Sequence, residues 1–170
     1  MARKLRRFFG MKTGRGLTLE AVALLAFFRI ALHLVPFRRL ATLMGRPMAE
    51  SPATTSAPER DQARRVGGAI MRCASHLGWA RNCLAQALAG QLMLRRRGVP
   101  STVYFGVALE GETELSAHAW LRCGEQIVTG RAGMERYKVI SCFAPASDSP
   151  EGLSDKLPAM EATASPDTHP

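Results

Sequence analysis

The chain has 170 residues, of which 46% are hydrophobic, so it is long and apolar enough to form one domain with a core. Its net charge of +9 is concentrated in residues 1–50, which carry ten Lys and Arg residues and two Glu residues, whereas residues 51–170 carry a net charge of only +1. Because aromatic residues do not interleave with the basic run, the composition argues against a nucleic-acid-binding protein.

The first predicted elements lie in the most apolar stretch, which reads GLTLEAVALLAFFRIALHLVPFRRLATLMG over 16–45. Its pattern predicts helices over 17–34 and 37–44, so that residues 1–45 form a basic and apolar N-terminal helical segment. The apolar run is interrupted at Glu20, Arg29 and His33. Because a charge at the centre of a bilayer costs about 2.5–3.5 kcal/mol on insertion scales, a buried or partner-facing helix is favoured over a membrane span.

The same segment bears on the location of the protein. The apolar run is long and lacks a small-x-small exit, which argues against a cleavable secretory signal and favours a cytoplasmic protein. Basic residues flank the run on both sides and leave a peripheral membrane contact through residues 1–45 open.

A stretch rich in Pro, Ser, Thr and Ala follows and predicts a linker over residues 46–58. Ser56 and Glu59 have the spacing of a capping box, so a helix is expected from there to about Leu77. One stripe of this helix is predicted to be buried and contains Ala63, Val66, Ile70 and Ala74.

The next predicted helix carries a cysteine at its start, in the sequence NCLAQALAGQLMLRRRGVPS over 82–101. Asn82 is a suitable N-cap, and the three arginines 95–97 suit the negative end of the helix dipole. Gly98 suits the left-handed backbone conformation that ends many helices.

After Pro100 the sequence changes to β-branched and aromatic residues. Alternating patterns predict strands over 101–109, 116–123, 126–130 and 136–143, and the polar residues 144–170 predict a disordered tail. Alternation places His118, Trp120 and Arg122 on one face of a strand and Ala119, Leu121 and Cys123 on the other. The fold class is therefore α+β, with a helix packed on an antiparallel sheet and preceded by an N-terminal helical segment.

The four cysteines are Cys73, Cys83, Cys123 and Cys142. They form no CxxC pair and no cluster with zinc-finger spacing, so we expect free thiols and no metal site. No phosphate-binding glycine motif is present, and no cofactor is predicted.

Cys83 is the candidate nucleophile, since the N-terminus of a helix lowers the pKa of a thiol and offers unpaired N–H groups to an oxyanion. A thiol nucleophile needs a base, and His118 is the histidine on a predicted core strand. Gln86, one turn after Cys83, is a candidate for oxyanion or substrate contact, or a helix-surface glutamine. Trp120 is expected to line the cleft or to fill the core.

The residues 79–120 show the pattern W-x-x-x-C-L-x-Q-A-L-A, then L-R-R-R-G-V-P-S, G-V and A-H-A-W. This pattern resembles the transglutaminase-like cysteine peptidase of lasso-peptide biosynthesis, and the apolar N-terminal helices resemble that family's helical region. The resemblance implies a papain/transglutaminase-like peptidase domain over 59–143, with Cys83 as nucleophile and His118 as general base.

The resemblance also implies a substrate and partners. The enzyme would cleave the leader from a ribosomally made precursor peptide through a thioester, and a separate ATP-dependent macrolactam cyclase would close the ring. Because the N-terminal residues predict apolar helices instead of a strand-rich recognition module, we expect a separate leader-recognition protein.

The sequence departs from the family at one position. The family commonly has an aspartate about a dozen residues after the histidine, where this chain reads QIVTGRAG with Thr129 and Gly130. The alternatives for the group that orients His118 are Glu125, Glu135, Thr129 and a backbone carbonyl, and Glu125 is our candidate for the third member. The absent acid also leaves a second function open, a non-catalytic peptide-binding or maturation partner with the same fold.

Overall fold

The structure is a computed structural model that describes residues 15–111 and 114–145. The helices are α1 (Arg15–Leu34), α2 (Phe37–Met44), α3 (Ala57–His76) and α4 (Cys83–Arg95), with 3₁₀ turns at Gly78–Arg81 and Met134–Arg136. The strands are β1 (Arg46–Pro47), β2 (Thr102–Glu110), β3 (Glu114–Cys123), β4 (Gln126–Thr129) and β5 (Lys138–Ala144). The predicted helices and strands are all present, within a few residues of the expected ends, and the α+β class is confirmed.

The five strands form one antiparallel sheet in the order β1-β5-β2-β3-β4. Strands β2 and β3 are a hairpin whose pairing runs from Thr102 opposite Arg122 to Glu110 opposite Glu114. Within this hairpin Gly106 lies opposite His118, and Tyr104 lies opposite Trp120. The hairpin therefore fixes the height of His118 in the centre of the sheet.

Helices α3 and α4 pack on one face of the sheet and α1 packs on these two helices, and all three share a core with Ala119, Leu121 and Cys123 of β3. On the other face a smaller cluster contains Tyr104, Trp120 and Cys142. The predicted alternation along β3 is confirmed, because odd-numbered and even-numbered side chains enter different clusters.

The N-terminal helices belong to the same core as the rest of the domain. Leu25 and Phe28 of α1 and Met44 of α2 are buried there. Composition predicts a linker over 46–58, but its first residues form β1, which pairs with β5. The boundary between residues 45 and 46 therefore does not separate two cores, because the apolar face of α1 packs against α3 and α4. The predicted tail over 144–170 lies almost wholly outside the described residues.

Helix α3 begins at the predicted capping box. The Ser56 hydroxyl accepts a hydrogen bond from the Glu59 N–H at 3.4 Å, and the Glu59 carboxylate accepts one from the Ser56 N–H at 2.7 Å. Because the Ser56 hydroxyl and then the Ser56 N–H both donate to the Glu59 carboxylate, the pKa of Glu59 lies below its ordinary value. The predicted stripe is buried at all four positions, namely Ala63, Val66, Ile70 and Ala74.

An ion-pair cluster holds α1 against the residues that follow α4. The Glu20 carboxylate accepts from the Arg97 guanidinium at 2.6 Å and from the Arg96 guanidinium at 3.2 Å. The hydrogen bond from Arg97 is the main cause that lowers the pKa of Glu20. The acidic residue that interrupts the apolar helix is therefore paired in the folded domain.

Candidate active site

Cys83 is the first residue of α4, and Asn82 caps the helix as predicted. The Asn82 side-chain oxygen accepts a hydrogen bond from the Ala85 N–H at 2.9 Å, and the Asn82 carbonyl accepts the first helical bond, from the Gln86 N–H at 3.0 Å. The N–H groups of Cys83 and Leu84 therefore have no acceptor within the helix. Their partial positive charge lies beside the thiol, which is where a thiolate or an oxyanion would be stabilised.

Gln86 holds the turn that leads into Cys83. It is buried, and its side-chain amide donates to the Ala80 carbonyl at 2.8 Å, within the 3₁₀ turn Gly78–Arg81. The interpretation as a helix-surface glutamine is wrong, because the side chain points inward. A contact of Gln86 with an oxyanion or a substrate stays a prediction.

His118 lies on β3 and is oriented by a backbone group. Its Nε2 atom is 2.7 Å from the Gly130 carbonyl oxygen. Because a carbonyl accepts only, Nε2 donates and carries the proton, and in the neutral ring Nδ1 keeps its lone pair. Within residues 15–111 and 114–145, Nδ1 takes part in no hydrogen bond, so it is the ring atom available to act as a base.

Two aromatic rings hold the imidazole. The Trp120 ring stacks at 5.9 Å between centroids, and the Tyr137 ring lies at 5.0 Å. The Tyr137 hydroxyl is fixed by a 3.0 Å hydrogen bond with the Ser116 hydroxyl. A Cβ atom on Gly106 would lie 2.8 Å from Tyr137 Cβ and 2.9 Å from two atoms of the Trp120 ring, so this position needs glycine. Trp120 thus fills the core and also contacts the candidate base.

Sequence reasoning missed Tyr137 and Gly106 as neighbours of His118. Tyr137 precedes β5, which pairs with β2, and Gly106 lies at an irregularity in that pairing between Phe105 and Gly106. A lone glycine inside a strand pattern signals a bulge or a close approach, and that signal was present in the sequence.

Glu125 is not the partner of His118. It is exposed in the turn between β3 and β4 and lines a surface pocket with Thr55 and Arg60. His118 lies five positions before Cys123, the last residue of β3, which at about 3.4 Å per residue is about 17 Å along the strand. The predicted role of Glu125 is therefore corrected, since the Gly130 carbonyl occupies the place at Nε2.

The two other candidates are also elsewhere. Glu135 is exposed in the 3₁₀ turn Met134–Arg136. The Thr129 hydroxyl is buried without a hydrogen-bond partner among the described residues, and its methyl group lies near Gly90 of α4. Of the alternatives for the group that orients His118, the backbone carbonyl is the one that the structure contains.

The packing of α4 on the sheet differs from the expectation in one respect. Helix α4 contacts β3 as predicted, with Gly90 so close to Leu121 that a Cβ atom would be 2.6 Å from its Cδ2 atom. The His118 ring, however, packs with Trp120 and Tyr137 on the other face. In the described residues no hydrogen bond joins Cys83 Sγ to the imidazole, so contact between sulfur and imidazole stays a prediction.

The four cysteines differ in their exposure. All are free thiols, but Cys83 is half-buried, whereas Cys73, Cys123 and Cys142 are buried. Burial raises the pKa of each of these three thiols above its ordinary value of 9.0. They are therefore protonated and inert near neutral pH, and Cys83 is the thiol accessible to a substrate. Across the described residues, no three or more His, Cys, Asp or Glu side chains are grouped to hold a metal ion.

Comparison with known proteins gives one match. A family model described as the transglutaminase-like superfamily matches residues 24–142, which include Cys83, His118 and most of α1. No curated protein and no solved structure matches the chain.

Proposed function

This chain belongs to the transglutaminase-like superfamily, and on that premise we propose that it is a cysteine peptidase with Cys83 as nucleophile and His118 as general base. The family includes cysteine peptidases. The observation that carries the proposal is the half-exposed thiol at the first residue of α4, beside two N–H groups that have no acceptor within the helix.

The height of the histidine along the sheet is compatible with the same assignment, although its ring packs on the face opposite α4. Gly90 lies against Leu121, and Cys83 precedes Gly90 by about 10 Å at the helical rise of about 1.5 Å per residue. His118 precedes Leu121 by about 10 Å at the strand rise of about 3.3 Å per residue. Because α4 turns back into β2, which is antiparallel to β3, the two residues have a similar height along β3.

The proposed reaction has two halves. The sulfur attacks the scissile carbonyl carbon while Nδ1 of His118 takes the thiol proton, and the N–H groups of Cys83 and Leu84 stabilise the oxyanion. The C–N bond then breaks, Nδ1 returns the proton to the leaving amine, and a thioester remains on Cys83. Water, deprotonated by the same nitrogen, attacks the thioester and releases a carboxylic acid and the free thiol.

The proposed substrate is the leader region of a ribosomally made lasso-peptide precursor, released in the cytoplasm to expose the amine of the core peptide. The support is the motif pattern over 79–120. A separate leader-recognition protein would deliver the precursor, and an ATP-dependent macrolactam cyclase would use the exposed amine.

The proposal is tested by mass spectrometry on a candidate precursor peptide from the same gene neighbourhood. The full-length protein is incubated with the precursor, with and without the candidate leader-recognition protein from that neighbourhood. We expect two fragments whose masses add up to that of the precursor plus one water, from a cut at one fixed bond. An intact precursor under both conditions would contradict the proposal.

A second function is favoured by two specific observations: Thr129 or Gly130 stands at the position of the family aspartate, and in the described residues no hydrogen bond joins Cys83 to His118. It is the capture of a peptide without cleavage. The same incubation, followed by a fluorescence-polarisation measurement with labelled precursor, separates the two functions. Binding with no fragments in any mixture would favour capture.

A further inference from the structure

One face of α1 exposes an apolar stripe. Leu19, Phe27, Ile30 and Leu34 are exposed by 53%, 55%, 58% and 76%. At 100° per residue, their directions around the helix fall within a sector of about 80°. The side chains of Leu24, Leu25 and Phe28 are buried in the domain core instead. The helix is thus apolar on two faces, and only one of them is covered by the domain.

Helix α2 extends the exposed surface. Phe37 and Leu43 are exposed by 46% and 52%. A shallow cavity of about 90 Å³ lies between Phe27, Leu43 and Leu92, next to the stripe. The residues Leu19, Phe27, Ile30, Leu34, Phe37 and Leu43 are called the apolar patch below. A contiguous patch of large apolar side chains marks an interaction surface.

The charge around the apolar patch is positive. Arg38 and Arg39 are exposed directly after Phe37, and Arg15 begins α1. Residues 1–14, which precede α1, contain five Lys and Arg residues and no acidic residue. Glu20, the acidic residue of α1, is paired with Arg96 and Arg97. The exposed Arg38 and Arg39 therefore make the surface beside the patch positive and complementary to an anionic partner.

We propose that the apolar patch docks this protein on an anionic membrane surface, with α1 lying in the plane of the interface. An apolar stripe bordered by Lys and Arg is the pattern of helices that insert one face between lipid head groups while basic side chains contact anionic lipids. An uncharged protein surface would not need the exposed Arg38 and Arg39 beside the stripe.

Helix α1 is long and apolar enough to cross a membrane, the one such helix in the described residues. A crossing would remove Leu25 and Phe28 from the core that they share with α3 and α4, and it would break the pairs of Glu20. A helix that lies in the plane of the interface keeps both the core packing of Leu25 and Phe28 and the ion pairs of Glu20. It also leaves the thiol of Cys83 and the imidazole of His118 unchanged, so it is independent of the proposed catalysis.

The test is co-sedimentation of the full-length protein with vesicles of phosphatidylglycerol mixed with phosphatidylcholine, and with vesicles of phosphatidylcholine alone. The double variant Ile30→Gln, Leu34→Gln removes two members of the patch. The control Ile140→Gln, Leu115→Gln changes equally exposed side chains on the sheet, at 58% and 73%. Circular dichroism verifies that both variants fold.

We expect the native protein to pellet with the anionic vesicles, and less so as salt is raised, because salt screens the basic residues. The patch variant should lose about tenfold or more of its partition coefficient, since two large side chains no longer enter the interface. The control should stay within about twofold of the native protein. No pelleting with anionic vesicles, or an equal loss in both double variants, would overturn the proposal. A dimer that forms without lipid, and that the patch variant abolishes but the control does not, would show instead that the patch binds a second copy of this chain.

Discussion

Replacing Cys83 with alanine is expected to lower peptide cleavage by on the order of 10⁴-fold or more, because no thioester can form without the sulfur. The melting temperature should change little, since the side chain is half-buried at the start of α4 and Asn82 still caps the helix. The measurement is the initial rate of fragment formation by mass spectrometry, compared at equal concentrations of folded protein.

The matched control is Cys73→Ala, which removes a buried thiol in α3. This variant should lose stability through a small cavity but cleave at a rate similar to that of the native protein. Cleavage that survives in the Cys83 variant, or that is lost equally in both variants, would contradict the assignment of the nucleophile.

Replacing Gly130 with alanine is expected to reduce both stability and cleavage. The residue has φ of +73°, and a Cβ atom would lie 2.5 Å from the Ala119 carbonyl oxygen and 2.8 Å from Trp120 Cβ. The backbone must therefore shift, and the carbonyl that holds Nε2 of His118 shifts with it. We expect a loss of about 2–4 kcal/mol in the free energy of unfolding, from left-handed strain and overpacking together.

Cleavage per folded molecule should fall by on the order of tenfold or more in this variant, since the orientation and tautomer of the base are no longer fixed. The control is Gly133→Ala, in the same loop. Its φ is +74°, but the nearest atoms to an added Cβ would belong to the flexible Arg136 side chain, at 3.3 Å or more. That variant should show the left-handed strain alone and keep its cleavage rate. Equal losses of cleavage in the two variants would assign Gly130 a purely structural role.

Most of the fold follows from local patterns. The capping box at Ser56, the cap at Asn82 and the alternation along β3 each depend on neighbours in the sequence, and each is present as predicted. The division of the chain at residue 45 stays a prediction, and α1 packs in the same core as α3 and α4. Composition reveals a polar connection, but it does not reveal that the apolar face of α1 is required to complete the core beneath α4.

Less of the candidate site than of the fold could be predicted from the sequence. Glu125 was the predicted partner of His118 because it is a nearby acidic residue, but the partner is the main-chain carbonyl of Gly130. Because every residue has a carbonyl, the sequence alone does not identify which one accepts this hydrogen bond. Only the left-handed conformation at Gly130 and the pairing of β3 with β4 bring this carbonyl to the ring. The position of Tyr137 over the ring depends likewise on the pairing of β5 with β2, which brings together residues distant in the chain.

The central claim is that the thiol of Cys83 is activated by the helix N-terminus and by His118. It is tested most directly by the rate at which iodoacetamide alkylates each cysteine between pH 5 and pH 10, followed by peptide mapping in the native protein, in His118→Ala and in a control, His76→Ala. Burial raises the pKa of Cys73, Cys123 and Cys142, so these thiols should stay unreacted at neutral pH. We predict that Cys83 reacts at neutral pH faster than free cysteine, and that only the His118 variant slows it. A rate for Cys83 at neutral pH that is no faster than that of free cysteine and is unchanged in the His118 variant would contradict the claim.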